Sequence, residues 1–118
     1  MPVSEVTLAL SNGRRVPLEI AESRASRRRG LLGRESARGG AMLLQPCRSV
    51  HILGMRFAID VAHLSRTYKV LRIHTMKPNR LGPVVRRASG VLEADAGAFD
   101  AWGLAVGDEL TVLLPGER

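Results

Sequence analysis

The sequence predicts a small, mainly β (α+β) domain: an antiparallel, barrel-like sheet with two short helices. Three observations carry that reading. Apolar residues recur at every second position in several short segments, the period of a half-buried strand. Glycine, proline, asparagine and aspartate punctuate those segments at short intervals, as in hairpin-rich β domains. Two brief stretches combine helical apolar spacing with plausible start and stop residues.

Val6, Leu8 and Leu10 alternate with smaller or polar residues, as do Val16, Leu18 and Ile20. Asn12-Gly13 lies between them, and both residues tolerate positive φ, so 4–10 and 15–20 read as a hairpin. Ser23 can cap a helix over 23–33, with Ala25 and Leu32 inward and Gly33 as its stop. Residues 34–40 read as a polar loop, and Ala41 to Leu44 as a short buried strand broken by Gln45-Pro46. A second extended piece over 49–53 ends at Gly54. The clearest strand is 57–64, where Phe57, Ile59, Val61 and His63 share one face and Ala58, Asp60, Ala62 and Leu64 the other. Residues 69–74 are its partner across a hairpin loop at 65–68. A proline-containing loop over 77–87 leads to a strand at 90–94. Asp95 then caps a helix through Trp102, with Phe99 and Trp102 on one side, and Gly103 follows it. Gly107-Asp108 turns the chain into a closing strand over 109–114.

The chain's 118 residues amount to one domain's worth, here 1–118, with no internal repeat, linker or low-complexity segment. A chain of this size can bury roughly two-thirds of its unfolded surface, enough for a core without disulfides or metal staples. Aromatics are 3% of the sequence, so aliphatic side chains and Met42, Met55 and Met76 must fill that core. No apolar run approaches the roughly 20 residues of a membrane helix. The start, MPVSEVTLAL, has no charged segment followed by a long apolar one, and the single cysteine, Cys47, has no internal disulfide partner. These features read as cytoplasmic, or as an exported form whose leader has been removed. The formal net charge is +7, almost all from arginine, a balance that attracts polyanions and acidic surfaces.

Four local patterns resemble the family called domain of unknown function number 192. Arg27-Arg28-Arg29-Gly30-Leu31-Leu32-Gly33-Arg34 is similar to that family's short helix ending in arginine, glycine and leucine. The segment from Pro46-Cys47 through Val50-His51 and Gly54-Met55-Arg56-Phe57 to Ile59-Asp60-Val61 resembles its central motif. Leu92-Glu93 with Gly97, and the Gly107-Asp108 turn, follow in the family's order. The sequence departs from the pattern at Ile52, where threonine is common, at His63, where an apolar residue is usual, and at Ser65, where an aspartate opens the loop. The resemblance implies a barrel-like β fold with small helices, and no activity.

Cys47 and His51 stand four apart, as metal ligands can, but His63 or Asp60 would have to complete a zinc set. No Cys-x-x-Cys pair exists, so the expectation is a packed thiol, a hydrogen-bonded histidine and no metal. Nor does Cys47 with His51 match a nucleophile signature, and there is no phosphate-cradling glycine loop or Gly-x-Ser-x-Gly elbow. Arg24, Arg27, Arg28, Arg29, Arg34 and Arg38 form the densest charge run, which reads as a solvated helix face because it lacks interleaved aromatics.

Asp60 and Glu93 are carboxylates flanked by apolar or small residues. Each needs partners if buried, from Arg56, Arg72 or loop N–H groups. Either they lock the fold, or His51, Arg56, Asp60 and Glu93 converge as a ligand site. The sequence therefore reads first as a non-catalytic, monomeric binding or accessory domain for a small molecule or polymer, with no cofactor and no membrane contact. The competing readings are an enzyme using Asp60 and Glu93 with His51, and a basic module for nucleic acid or an acidic partner.

Overall fold

The Asn12-Gly13 turn sets the first register. Gly13 adopts φ +91°, open to glycine at no steric cost. The Asn12 side-chain oxygen accepts the Arg14 N–H at 2.9 Å. Strands β1 (Val6–Ala9) and β2 (Arg15–Ala21) leave this turn antiparallel, with Leu8 opposite Val16. The computed structural model describes residues 6–23, 37, 39–48, 57–78 and 82–116.

Five more strands follow: β3 (Ala41–Leu44), β4 (Ile59–Leu64), β5 (Val70–Met76), β6 (Gly90–Asp95) and β7 (Thr111–Leu113). They form one sheet in the order β5-β4-β6-β3-β2-β1-β7. β4 and β5 pair antiparallel, as the short loop between two segments of period two predicts. Their loop closes through Tyr68 at φ +65° and through the Ser65 hydroxyl, which accepts N–H groups from Thr67 and Lys69.

Two expectations, the antiparallel sheet and the bounds and cap of the second helix, are corrected. The sheet is mixed rather than antiparallel, because β2 and β3 run parallel, Leu18 beside Ala41. The connecting residues 22–40 are long enough for a crossover, and apolar period carries no information on strand direction. The sheet is also not a closed barrel. Its end strands approach through a bridge between Lys69 and Glu109 and bonds such as Val70 N–H to the Asp108 carbonyl at 2.8 Å, but β5 and β7 do not pair. Finally, the second helix, α1 (Ala98–Trp102), is shorter than 95–102 and is not capped by Asp95. Gly97 is its N-cap residue, and Asp95 ends β6, where its side chain accepts the Ala37 N–H at 2.7 Å. Among the described residues α1 is the one helix. The helix expected over 23–33, past Ser23, and the extended piece over 49–53 lie outside the described residues.

Each face of the sheet carries its own core. On one face Leu8, Val16, Leu18, Leu43, Ala62, Leu64, Leu92 and Ala94 pack with Phe99 and Trp102 of α1, whose rings lie 5.7 Å apart. On the other, Met42, Leu44, Ile59, Val61, Met76 and Val91 are buried, edged by Ala37, Cys47 and Phe57. All six residues of β4 are buried, so this strand is covered on both faces. Each fully buried leucine or isoleucine contributes about 1.5–3 kcal/mol relative to exposure. Met42 and Met76 fill the second cluster, as the scarcity of aromatics suggested, while Met55 lies outside the described residues.

Candidate ligand face

Asp60 sits where β4 meets the start of α1. One of its oxygens accepts the backbone N–H groups of Gly97 at 3.0 Å and Phe99 at 3.1 Å, and the other accepts the Thr75 hydroxyl at 2.7 Å. A helix start leaves N–H groups without intrahelical partners, and a carboxylate there also meets the positive end of the peptide dipoles. Among the described residues, the Gly97 and Phe99 N–H groups and the Thr75 hydroxyl, not Arg72, thus satisfy Asp60, while Arg56 lies outside them. Its side chain shares the Ala62 and Leu64 face of β4, so its bonds tie α1 to the first core.

Glu93 lies on the other face. Its register partners are Val61 on β4 and Met42 on β3, both in the second cluster, whereas Asp60 stands opposite Ala94 of the first. Glu93 is 4% exposed and is partnered. The two carboxylates therefore project from opposite faces of the sheet and cannot work on one substrate as an acid–base pair. The structure does not bring Asp60 and Glu93 together, and His51 and Arg56 lie outside the described residues.

The Glu93 face holds a second polar group that the sequence reading missed. His63 on β4 stands opposite Arg72 on β5, and His74 stands opposite Val61, so His63, Arg72 and His74 share this face. The His63 and His74 rings stack at 5.3 Å, inclined by 22°. His63 is 0% exposed. All four ring nitrogens of the pair are buried and have no hydrogen-bond partner among the described residues. Beside them the β4–β5 register shifts between His63 and Leu64: Leu64 pairs with Val70 while His63 pairs with Arg72, leaving Leu71 as the extra residue of a bulge. Bulges re-aim side chains and concentrate beside functional sites.

Both imidazoles are held below their ordinary pKa. For His63 burial is the main cause, followed by the neighbouring His74; Arg72 adds to it. The backbone carbonyls of Pro83 and Arg48 lie close enough to oppose the shift, yet neither reaches hydrogen-bonding geometry with the ring. For His74 burial again leads, followed by Arg72. Two neutral imidazoles thus present donors and acceptors beside a guanidinium that is itself exposed. The period of two could have flagged His74 with His63, but their contact depends on register across the bulge.

Cys47 is half-buried at the rim of the second cluster, and its N–H donates to the Ser89 carbonyl at 3.1 Å. Among the described residues no group of three or more histidine, cysteine or acidic side chains is placed to hold a metal ion.

The model of the family DUF192, described as Uncharacterized ACR, matches residues 7–112. The chain belongs to that family. A solved structure described as a "putative transcription regulator" from Sinorhizobium meliloti 1021 is similar, at TM-score 0.78 and 23% identity over 92% of each chain. A protein of unknown function from Novosphingobium aromaticivorans DSM 12444 is similar at TM-score 0.76 and 19% identity, covering 91% of this chain and 83% of that one. At such identities the likeness is one of fold. No curated protein matches the chain. DUF192 carries no assigned activity, and its match spans the strands on both faces described above. Among the described residues no helix is long and apolar enough to cross a membrane.

Proposed function

We propose that this DUF192 chain is a non-catalytic binding domain whose ligand, a small molecule or a polymer segment, is held on the Glu93 face of the sheet. The observation that supports this reading is the set of four unpartnered, buried ring nitrogens on His63 and His74. An unsatisfied buried polar group costs about 1–3 kcal/mol, so two adjacent imidazoles without partners need a reason beyond packing. Glu93 lies on the same face, and His51 and Arg56 are retained as candidate contacts from the segment leading into β4. Asp60 belongs to the fold on this reading, as the clamp on α1. The catalytic alternative loses its support because Asp60 and Glu93 face apart.

A thermal-shift screen of the full chain against metals, nucleotides, sugars and oligonucleotides tests the reading, because a ligand that binds only the folded state raises Tm. We expect a class of ligand that stabilises the wild type and loses its effect in His74→Val. If every stabilising ligand acts equally on the variant, the binding face lies elsewhere. The net charge of +7 favours a second reading, a basic module for nucleic acid or an acidic partner in the cytoplasm. Phosphate-backbone binding weakens steeply as salt rises, so affinity for an oligonucleotide across a salt series separates the two. We also propose that the domain is a monomer and barrel-like in outline, its sheet curled until the Lys69–Glu109 bridge joins its ends.

A further inference from the structure

We infer that His63, His74 and Arg72 form a site for a small oxyanion, a carboxylate or phosphate group on the bound molecule. The inference rests on the binding reading above and gives its ligand a chemical class. Three placements carry it. The side chains come from adjacent strands on one face, His63 and Arg72 as direct register partners and His74 two residues along β5 from Arg72. In antiparallel pairs, opposite and diagonal neighbours lie within about 5–8 Å, close enough to share one small ligand. The imidazole nitrogens are buried and unpartnered, while Arg72 is exposed, so the group runs from solvent at the edge strand β5 into the sheet.

The charges around the pair select an anion over a cation. Arg72 is the charged group that acts on both rings, and each ring also feels the other or its burial. Among the described residues, the remaining groups bearing on His63 are the Pro83 and Arg48 carbonyls, and β6 presents Val91 opposite it. Glu93, the carboxylate on this face, lies beyond Val61 from His74 and has its own partner. A divalent metal would sit against the Arg72 charge with two imidazoles as its described ligands. An oxyanion would instead pair with the guanidinium fork and accept N–H bonds from the rings. It would also favour the protonated imidazolium, giving the buried nitrogens partners and taking up protons on binding.

That proton uptake supplies the test. Inorganic phosphate and acetate are titrated into the full chain at constant ionic strength, followed through the histidine ring signals by NMR. We expect the His63 and His74 signals to move with saturation, and the affinity to rise as pH falls from about 8 to about 6, the range in which imidazoles charge. Arg72→Gln, at an exposed position, should keep the fold and weaken binding about tenfold or more. His74→Asn is the second variant and should weaken it as well. Phosphate response without acetate response assigns the group as phosphate, the converse as carboxylate. The inference is overturned if neither anion moves the two histidines, if Arg72→Gln binds as the wild type does, or if affinity instead rises with pH. Zinc or a neutral sugar seated on His63 and His74 would also overturn it while leaving the binding face intact. Failure of every ligand class to reach these residues would remove both.

Discussion

Replacing Asp60 with alanine removes the acceptor for three donors at once: the Gly97 and Phe99 N–H groups and the Thr75 hydroxyl. They do not count equally. Thr75 and Gly97 are exposed, so water can replace much of what they lose, while the Phe99 N–H bond is buried. An orphaned buried N–H costs about 1–3 kcal/mol, and the loss of charge at the start of α1 adds up to about 1 kcal/mol. With the partial losses at Gly97 and Thr75 added, the expected cost of Asp60→Ala is about 2–4 kcal/mol. With an unfolding entropy of about 2.1 cal/mol/K per residue, 1 kcal/mol moves Tm by about 4 °C in a chain of this length, so the drop is roughly 8–16 °C. Asp60→Asn should be much milder, about 1 kcal/mol, because its carbonyl oxygen can still accept both N–H groups and its amide can donate to a rotated Thr75 hydroxyl. Urea unfolding followed by circular dichroism measures both variants. A loss below about 0.5 kcal/mol in Asp60→Ala, the ordinary range for surface changes, would refute the clamp.

Other outcomes follow from the same packing. Because the folded chain holds His63 and His74 below the ordinary imidazole pKa, it binds fewer protons than the unfolded chain in mildly acidic solution. Their contribution to stability is complete above about pH 6.5 and declines as pH falls toward the lowered folded values, by at most about 1.4 kcal/mol per pH unit for each histidine. Chemical unfolding across pH checks this, and His74→Val should flatten the slope; an unchanged slope contradicts the assignment. A Cβ on Gly40 would lie 2.8 Å from the Pro17 carbonyl oxygen, a backbone atom with little freedom to yield. Gly40→Ala should thus lower stability by about 1–3 kcal/mol in the same assay, and a neutral result would show that β2 and β3 separate easily. Elemental analysis of protein purified without chelator should find no stoichiometric zinc, and zinc that disappears in Cys47→Ser would contradict the packed-thiol reading.

What was legible in the sequence was local. Asn12-Gly13 and the 65–68 loop each fix a turn between segments of period two, so the β1–β2 and β4–β5 pairs could be read directly. Phe99 and Trp102 likewise fell on one side of α1 because their spacing demands it. The non-local features were not legible. Nothing within residues 15–21 or 41–44 says that they run parallel, and only the assembled sheet shows it. The carboxylate that accepts N–H groups at the start of α1 is that of Asp60, 37 positions before Gly97, whereas the nearby Asp95 looked like the natural candidate. The candidate site divided in the same way. The apolar flanks of Asp60 and Glu93 raised the question of burial, which the structure answers for both, but the face each one takes depends on which residues of β4 and β6 align. His63 was visible as a polar residue on the Ile59 and Val61 face, yet its stacking on His74 required the register across the Leu71 bulge.

The His63–His74 face is the proposed seat of the ligand. The chain has three histidines, His51, His63 and His74, so their ring signals can be assigned from single substitutions. The most direct measurement is the histidine NMR spectrum recorded with and without each compound that raises Tm. A stabilising ligand should shift the His63 and His74 signals together and raise their pKa values from the lowered ones of the free protein. A ligand that stabilises the fold and leaves both signals unmoved would contradict that placement.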